Sequence, residues 1–214
     1  MHSSPTSPLL GALALSALTL GALTLSACGE NMDPGTPDGA LRSFALSLSA
    51  GEAQPVVAQL SKESRDTLAR LAALSVSTRA AVDSFPKEAR AWAEREAVAP
   101  WMTPDVRPGA EATLLSLLLK APWDALKSQP PEEVLQAFSA RRTLHEDLQA
   151  GVARFRTRGN LQVSMKREGD VWRVSVFDEQ LAAAAAAAER NLETLKSNAD
   201  EVRRRLELHL DLPR

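Results

Sequence analysis

This sequence contains few Cys and His side chains, which often act as nucleophiles or metal ligands, and their spacing matches no known catalytic or metal-binding motif. The 214 residues include one cysteine, Cys28, and three histidines. They include no Gly-x-Ser-x-Gly elbow, no His-Glu-x-x-His helix, no phosphate-binding glycine loop and no Cys-x-x-Cys pair. The motifs therefore predict no catalytic, metal-binding or cofactor-binding residue.

His145-Glu146-Asp147 is the only cluster of titratable residue types within the domain that includes a histidine. We place this cluster on a helix, where consecutive side chains point in different directions and cannot converge on one ion. A metal site would also need a second histidine or a cysteine at helical spacing. The favoured interpretation is a solvated helix face. Ser164 and Lys166 share a strand face and could form a nucleophile–base pair. A single Ser-x-Lys of this kind, however, is close to what chance alone would give.

Three arginines, Arg154, Arg156 and Arg158, alternate along a predicted strand and therefore line one of its faces. Lys166 or Arg173 is expected nearby. Such a row either faces solvent or binds an anionic headgroup or partner. The net charge of the chain is only −2, so there is no wider basic field. This balance favours a solvent-exposed face and argues against nucleic acid as a partner.

The four tryptophans divide into two pairs. Trp92 and Trp172 fall on apolar faces and are expected in the core. Trp101 and Trp123 lie at proline-bounded junctions, where a pocket rim or a contact surface is more plausible. A ring of tryptophans around an apolar pocket is the alternative.

The functional signal that the sequence defines best lies at its N-terminal end. Residues 9–25 are uncharged and consist of Leu, Ala, Gly, Ser and Thr. Their length borders on that of a transmembrane helix, but their composition is typical of a signal peptide. The segment Leu25-Ser26-Ala27-Cys28 resembles the lipobox of bacterial lipoproteins. Residues 1–8 depart from the usual signal peptide because they contain no Lys or Arg.

The lipobox resemblance implies cleavage after Ala27 and acylation of Cys28, which attaches the chain to a membrane of the cell envelope. Gly29 stands where an Asp would retain the best-known lipoproteins at the inner membrane, so the outer membrane is expected, with the periplasmic face favoured. A soluble secreted or periplasmic chain, cut at the same place, is the alternative. With Cys28 acylated, the chain has no cysteine left for a disulfide.

Beyond the signal peptide, 1–27, the sequence predicts a lipid-anchored tether at 28–37 and a single domain at 38–214. The domain is predicted to be α+β and predominantly helical, with a helical insertion at about 101–149. Between about 152 and 177, apolar residues alternate with polar ones in three runs. Turns are predicted at Gly159-Asn160 and Glu168-Gly169-Asp170, which together give a three-stranded antiparallel meander.

Helices are predicted around this meander from apolar periodicity and from capping residues. The expected spans are Asp38–Ala50, capped by Asp38 and stopped by Gly51; Ser61–Asp83; Pro86 to about Val98; Ala110–Ala121; Pro130 to about Gln149; and Asp178 to about Leu210. The last of these carries a heptad seam that is expected to pack on its own domain. The members of the seam are Leu181, Ala185, Ala188, Leu192, Leu195, Ala199, Val202, Leu206 and His209.

Two stretches resemble envelope lipoproteins with a nuclear transport factor 2-like (cystatin-like) domain. The first is PDGALRSFALSLSAGEAQPVVAQLSKESRDTL, with a central Phe44 and the segment Leu60-Ser61-Lys62-Glu63-Ser64-Arg65. The second is VSMKREGDVWRVSVF, with its Arg167-Glu168-Gly169 turn. The resemblance implies helices packed on a curved antiparallel sheet with a pocket between them. This chain departs from it in the inserted segment, the long C-terminal helix and the small number of strands.

Together these features predict a lipid-anchored, non-catalytic protein of the cell envelope. Its partners would be the membrane, through Cys28, and an unknown protein or small apolar ligand, a role supported by the apolar helix around Leu114–Leu119. An enzyme that uses a pocket of the nuclear transport factor 2-like type is one alternative. A structural envelope protein that associates through its C-terminal helix is another.

Overall fold

The computed structural model describes residues 32–97, 109–118, 128–147 and 149–210. Along these residues the elements are α1 (Pro37–Ala50), α2 (Ala53–Gln59), α3 (Lys62–Asp83), α4 (Lys87–Glu96), α5 (Glu111–Leu118), α6 (Pro131–Phe138), β1 (Ala140–Asp147), β2 (Val152–Thr157), β3 (Gln162–Glu168), β4 (Val171–Val174) and α7 (Asp178–Leu210). The predicted α+β class with a long C-terminal helix is confirmed. The predicted signal peptide, Cys28 and residues 28–31 of the predicted tether lie outside the described residues.

The sheet is an antiparallel meander with the strand order β1-β2-β3-β4. The three predicted strands correspond to β2, β3 and β4, and the two predicted turns join them. Asn160 and Gly169 each adopt a φ of 62° in these turns, which is the left-handed conformation that short hairpins require. The prediction of three strands is wrong because the sheet has a fourth, β1.

Strand β1 occupies a segment for which a helix from Pro130 to about Gln149 was predicted, so the insertion at about 101–149 is not purely helical. α6 follows that prediction only as far as Phe138. The turn after β2 then holds the end of α6, because the N–H of Arg158 donates to Ser139 O (2.9 Å) and that of Gly159 to Ala137 O (2.8 Å). Arg, Leu and Glu in β1 favour helices locally, but pairing with β2 decides the conformation.

Helix α1 begins at a different cap from the predicted one. The Thr36 hydroxyl, rather than Asp38, accepts the N–H of Gly39 at 3.2 Å. Asp38 lies inside the first turn, where it pairs with Arg42 at 3.2 Å. The predicted stop at Gly51 is confirmed, with a φ of 69°. The buried face predicted for this helix is also confirmed: Leu41, Phe44 and Leu48.

One face of the sheet packs against the helices to form the larger core, and the other face carries polar side chains. The alternation predicted for the strands is confirmed by this arrangement. The buried apolar strand residues are Ala153, Phe155, Val163, Met165, Trp172 and Val174, and the polar Thr157 at the end of β2 is buried as well. Across the core, Phe44 of α1 meets Phe138 of α6 edge to face, with 6.3 Å between ring centroids.

The long helix α7 packs along α3. The two helices run in the same direction, because Ser64 contacts Asp178 and Arg70 pairs with Glu189. The predicted packing of the heptad seam on its own domain is confirmed by its buried members: Leu181, Ala185, Ala188, Leu192, Leu195 and Ala199. Val202 is partly buried, while the side chains of Leu206 and His209 lie outside the described ones.

Candidate functional site

The most concentrated group of polar contacts lies where the first residues of α3 and α7 meet strand β3. Ser61 is the N-cap of α3, and its N–H donates to Val174 O at the end of β4 (2.8 Å). Asp178 is the first residue of α7. Lys166 projects from β3 towards both helix starts. We call Ser61, Ser64, Lys166 and Asp178 the Asp178 cluster.

The carboxylate of Asp178 is buried and accepts three hydrogen bonds. Its Oδ1 accepts from the hydroxyls of Ser61 and Ser64, the latter at 2.6 Å. Its Oδ2 lies 2.7 Å from Lys166 Nζ. Only 7% of the Asp178 side chain is exposed, so these donors replace the water that the carboxylate loses on burial.

The protonation of the Asp178 cluster follows from these contacts. Burial raises the pKa of Asp178, but the hydrogen bonds from Lys166, Ser61 and Ser64 outweigh burial and leave that pKa below its usual value. The hydrogen bonds to Asp178 and then to Glu63 raise the pKa of Lys166. Both groups are therefore charged at neutral pH. Asp178 also lies in the first turn of α7, where a negative charge suits the helix dipole.

A shallow depression of about 450 Å³ adjoins the Asp178 cluster and is lined mainly by charged and hydroxyl side chains. Its lining residues are Ser61, Lys62, Glu63, Asp66, Thr67, Lys166 and Glu168. Most of the charged side chains that line the depression already form ion pairs with one another or with nearby residues. Lys166 Nζ lies 2.7 Å from Glu63, and Arg65 pairs with Glu168 at 2.9 Å. Glu168 also accepts the backbone N–H of Lys62.

This arrangement joins structural elements and does not activate a nucleophile. Both serine hydroxyls donate to a carboxylate whose pKa is lowered, which makes it a weak base. Asp178 itself is absent from the lining of the depression. The cluster therefore links α3, β3 and α7 through hydrogen bonds and an ion pair.

The cluster also brings together the two stretches that resemble nuclear transport factor 2-like domains. Leu60 forms a parallel bridge to Val174, and Arg173 Nη1 donates to Ala58 O at 2.7 Å. The sequence identified Ser61 and Asp178 only as the starts of helices, and it grouped Lys166 with the arginines at 154–158 and with Ser164. The available signals were a Ser-x-x-Ser helix start and an Asp at the first position of a helix, and neither signal indicates its partner.

His145 lies on strand β1, so its predicted position on a helix is wrong. Its side chain is exposed. Asp147 accepts the backbone N–H groups of Gln149 (3.0 Å) and Ala150 (2.9 Å), while the side chain of Glu146 lies outside the described ones. Within the described part of the chain, no group of three His, Cys, Asp or Glu residues is arranged to hold a metal ion.

Arg154 and Arg156 lie as predicted on one exposed face of the sheet, whereas Arg158 lies in the turn after β2, which ends at Thr157. Arg154, Arg156 and Arg158 are all exposed, in alternation with buried neighbours. Arg154 pairs across the sheet with Ser164, and Lys166 with Arg173, so the expected neighbours share this face. Ser164 and Lys166 do not act as a pair, because Lys166 is bound to Asp178 and Glu63.

Of the two tryptophans expected in the core, only Trp172 is there, at 3% exposure. The prediction for Trp92 is wrong, since this residue is 37% exposed and its neighbour Ala93 is buried instead. Trp92 meets Phe85 edge to face with 5.8 Å between ring centroids. Trp101 and Trp123 lie outside the described residues.

Comparison of the chain with known protein families, characterised proteins and solved structures found no match. Among the described helices, none has both the length and the apolar character needed to cross a membrane.

Proposed function

We propose that this protein is a lipid-anchored, non-catalytic component of the bacterial cell envelope that binds a protein partner or a small apolar ligand. The sequence Leu25-Ser26-Ala27-Cys28 carries the proposal, because it ends an uncharged apolar segment with the sole cysteine of the chain. We further propose the outer membrane and its periplasmic face, on the basis of Gly29. Two acyl chains or more would hold such a protein firmly at the membrane.

A binding role is supported by the state of the polar groups in the Asp178 cluster. A general base needs an available lone pair and a pKa near the working pH. On Asp178, three donors take up most of the carboxylate lone pairs, only 7% of the side chain is exposed, and the pKa is lowered. This observation disfavours the alternative of an enzyme with a pocket of the nuclear transport factor 2-like type.

We also propose that the domain is a relative of the nuclear transport factor 2-like domains. The proposal is supported by the contact between the two stretches on which the resemblance rests, at Leu60–Val174 and Arg65–Glu168. The packing of helices on one face of an antiparallel sheet agrees with it. The apolar helix α5 contributes Leu114 and Leu115 to the core of the domain itself, so a partner would contact other surfaces.

Association through the C-terminal helix is less well supported than binding by the domain. The heptad seam that would mediate such pairing faces α3, and Leu195, at its centre, is 1% exposed. A second helix would have to displace α3 to reach the seam.

Metabolic labelling with palmitate tests the anchor. We expect the full chain to incorporate label in a bacterial host and the Cys28→Ala variant to incorporate none. Gly29→Asp serves as a matched control, because the lipobox resemblance implies that it keeps the label but moves towards the inner membrane. Equal labelling of the parent and the Cys28→Ala variant would contradict the proposal.

Affinity capture of the labelled protein from envelope fractions tests the binding role. We expect a protein or an apolar small molecule to be recovered with the parent. Less of it should be recovered with Cys28→Ala, which no longer places the domain at the membrane. Recovery of the anchored protein alone, under mild detergent and after cross-linking, would contradict a binding function.

A further inference from the structure

Arg154 and Arg156, on the exposed face of the sheet, and Arg158, in the turn that follows β2, have no acidic partner among the described residues. We call Arg154, Arg156 and Arg158 the arginine row. Arg156 donates to the neutral Oδ1 of Asn160 at 3.2 Å. The other end of the same face is different, because Lys166 is matched by Asp178 and Glu63. Arg173 of β4 lies on this face too, donates to Ala58 O, and forms no ion pair among the described residues. The positive charge of the face that is not matched by an acid therefore lies at the arginine row and at Arg173.

The chain enters the domain at the edge of this sheet. The N–H of Trp172, on the outer edge of β4, donates to Pro34 O at 2.8 Å. The turn that precedes α1 is also fixed, since Thr36 N–H donates to Asp33 O at 3.1 Å. A Cβ added at Gly39 would collide with Asp33 O, so this turn packs directly on the start of α1. The entry point is thus set by the edge of the sheet.

The distance from the entry point to the predicted anchor is short. Cys28 precedes Pro34 by six residues, which span about 20 Å at most when fully extended. β2 lies two strands from β4, or about 10 Å across the sheet. A membrane that holds Cys28 is therefore within reach of the arginine row.

We propose that the arginine row docks on the anionic headgroups of the leaflet that holds Cys28. This inference deepens the proposed function and rests on it. Each basic residue near an anionic bilayer surface contributes about a fivefold preference for that surface, so three contribute about a hundredfold. The chain as a whole carries a net charge of −2 and is therefore not generally basic. The attraction to anionic headgroups is expected only where the arginine row faces them.

The test uses the full lipidated chain with a fluorophore on the exposed face. Gln162 is exposed and pairs across the sheet with Arg156, so Gln162→Cys places a label beside the row. With Cys28 acylated, this is the only thiol that reacts. The protein is reconstituted into vesicles of phosphatidylcholine alone or with phosphatidylglycerol, each with a headgroup-attached quencher. We expect strong quenching only with phosphatidylglycerol, and we expect its loss near 1 M salt, where charges are screened within about 3 Å.

Two triple variants separate the arginine row from charge in general. Replacing Arg154, Arg156 and Arg158 by Gln should lower the preference for the docked orientation about a hundredfold and reduce quenching to the level seen with phosphatidylcholine. Replacing Arg203, Arg204 and Arg205 by Gln changes the net charge equally on an exposed part of α7. This control should keep the quenching of the parent.

Vesicle flotation of the same samples distinguishes the two proposals. A chain that fails to float with vesicles would overturn the anchor, and the docking with it. A chain that floats but shows equal quenching in the parent and the triple variant of the arginine row would overturn the docking alone. Protection of the label in native envelopes but not in anionic vesicles would also overturn it, in favour of an acidic protein as the occupant.

Discussion

At Asp178 two hydroxyls and an ammonium group converge on one carboxylate. Ser61 and Ser64 lie 117 and 114 positions away in the sequence, so no spacing rule connects them to Asp178. The sequence does predict that Ser61 starts a helix, because capping depends on local order. The role proposed for Cys28 is similar, since the lipobox that Leu25-Ser26-Ala27-Cys28 resembles is a local pattern. Residue roles that depend on the chain folding back on itself were not predictable.

Replacing Asp178 by Asn should destabilise the domain by about 2 kcal/mol, because the buried acceptor of three donors loses its charge. Asp66→Asn is a matched control. Its ion pair with Lys62 is largely exposed, with side-chain exposures of 63% and 72%, and should contribute no more than about 0.5 kcal/mol. Urea unfolding of the three proteins at neutral pH gives both values. Equal stabilities for the two variants would contradict the structural role of the cluster.

The same comparison has a defined pH dependence. The folded-state pKa of Asp178 is lowered from 3.8, so its contribution is complete above that value and disappears as the pH falls through the lowered pKa. The stability difference between the parent and Asp178→Asn should therefore shrink below about pH 4. Lys166, whose pKa is raised from 10.5, contributes fully below that value and loses its contribution as the pH rises through the raised pKa. A difference that stays constant from pH 7 to pH 3 would argue against an ionised Asp178.

Among the elements, α7 and β1 show what local patterns can predict. The heptad seam of α7 repeats over several turns, so its face and its burial were both evident from the sequence. β1 has no comparable pattern, and its Arg, Leu and Glu favour a helix. It becomes a strand because β2 supplies hydrogen-bond partners for it. Pairing between two neighbouring segments, Ala140–Asp147 and Val152–Thr157, thus overrides the helical preference of the first and accounts for the main error in the predicted fold.

The contact between α3 and α7 is expected to be a major source of stability. Leu195 is 1% exposed in the seam, and Leu195→Ala should cost about 2–5 kcal/mol, depending on how far the cavity collapses. Lys196→Ala, one position along on an exposed part of the same helix, should change stability by no more than about 0.5 kcal/mol. Thermal and urea unfolding measure both. A Leu195→Ala variant as stable as its control would mean that the seam is not packed in solution.

At the level of the whole molecule, the described helices bury the heptad seam within one chain. We therefore expect the mature chain with Cys28→Ala to sediment as a monomer at micromolar concentrations. A dimer would contradict this expectation and would direct attention to exposed apolar residues such as Leu46 of α1 and Leu144 of β1. Sedimentation equilibrium over a tenfold concentration range makes the measurement.

The hydrogen bond between Pro34 and Trp172 has a mechanical consequence. A pulling force on the chain upstream of Asp33 first meets the edge of β4, where Pro34 is held against a strand whose Trp172 and Val174 side chains are buried. The load is therefore carried into the sheet before it reaches the first turn of α1. Under the proposed lipid anchoring at Cys28, attachment at this point would let the membrane move relative to the domain without unwinding its N-terminal helix.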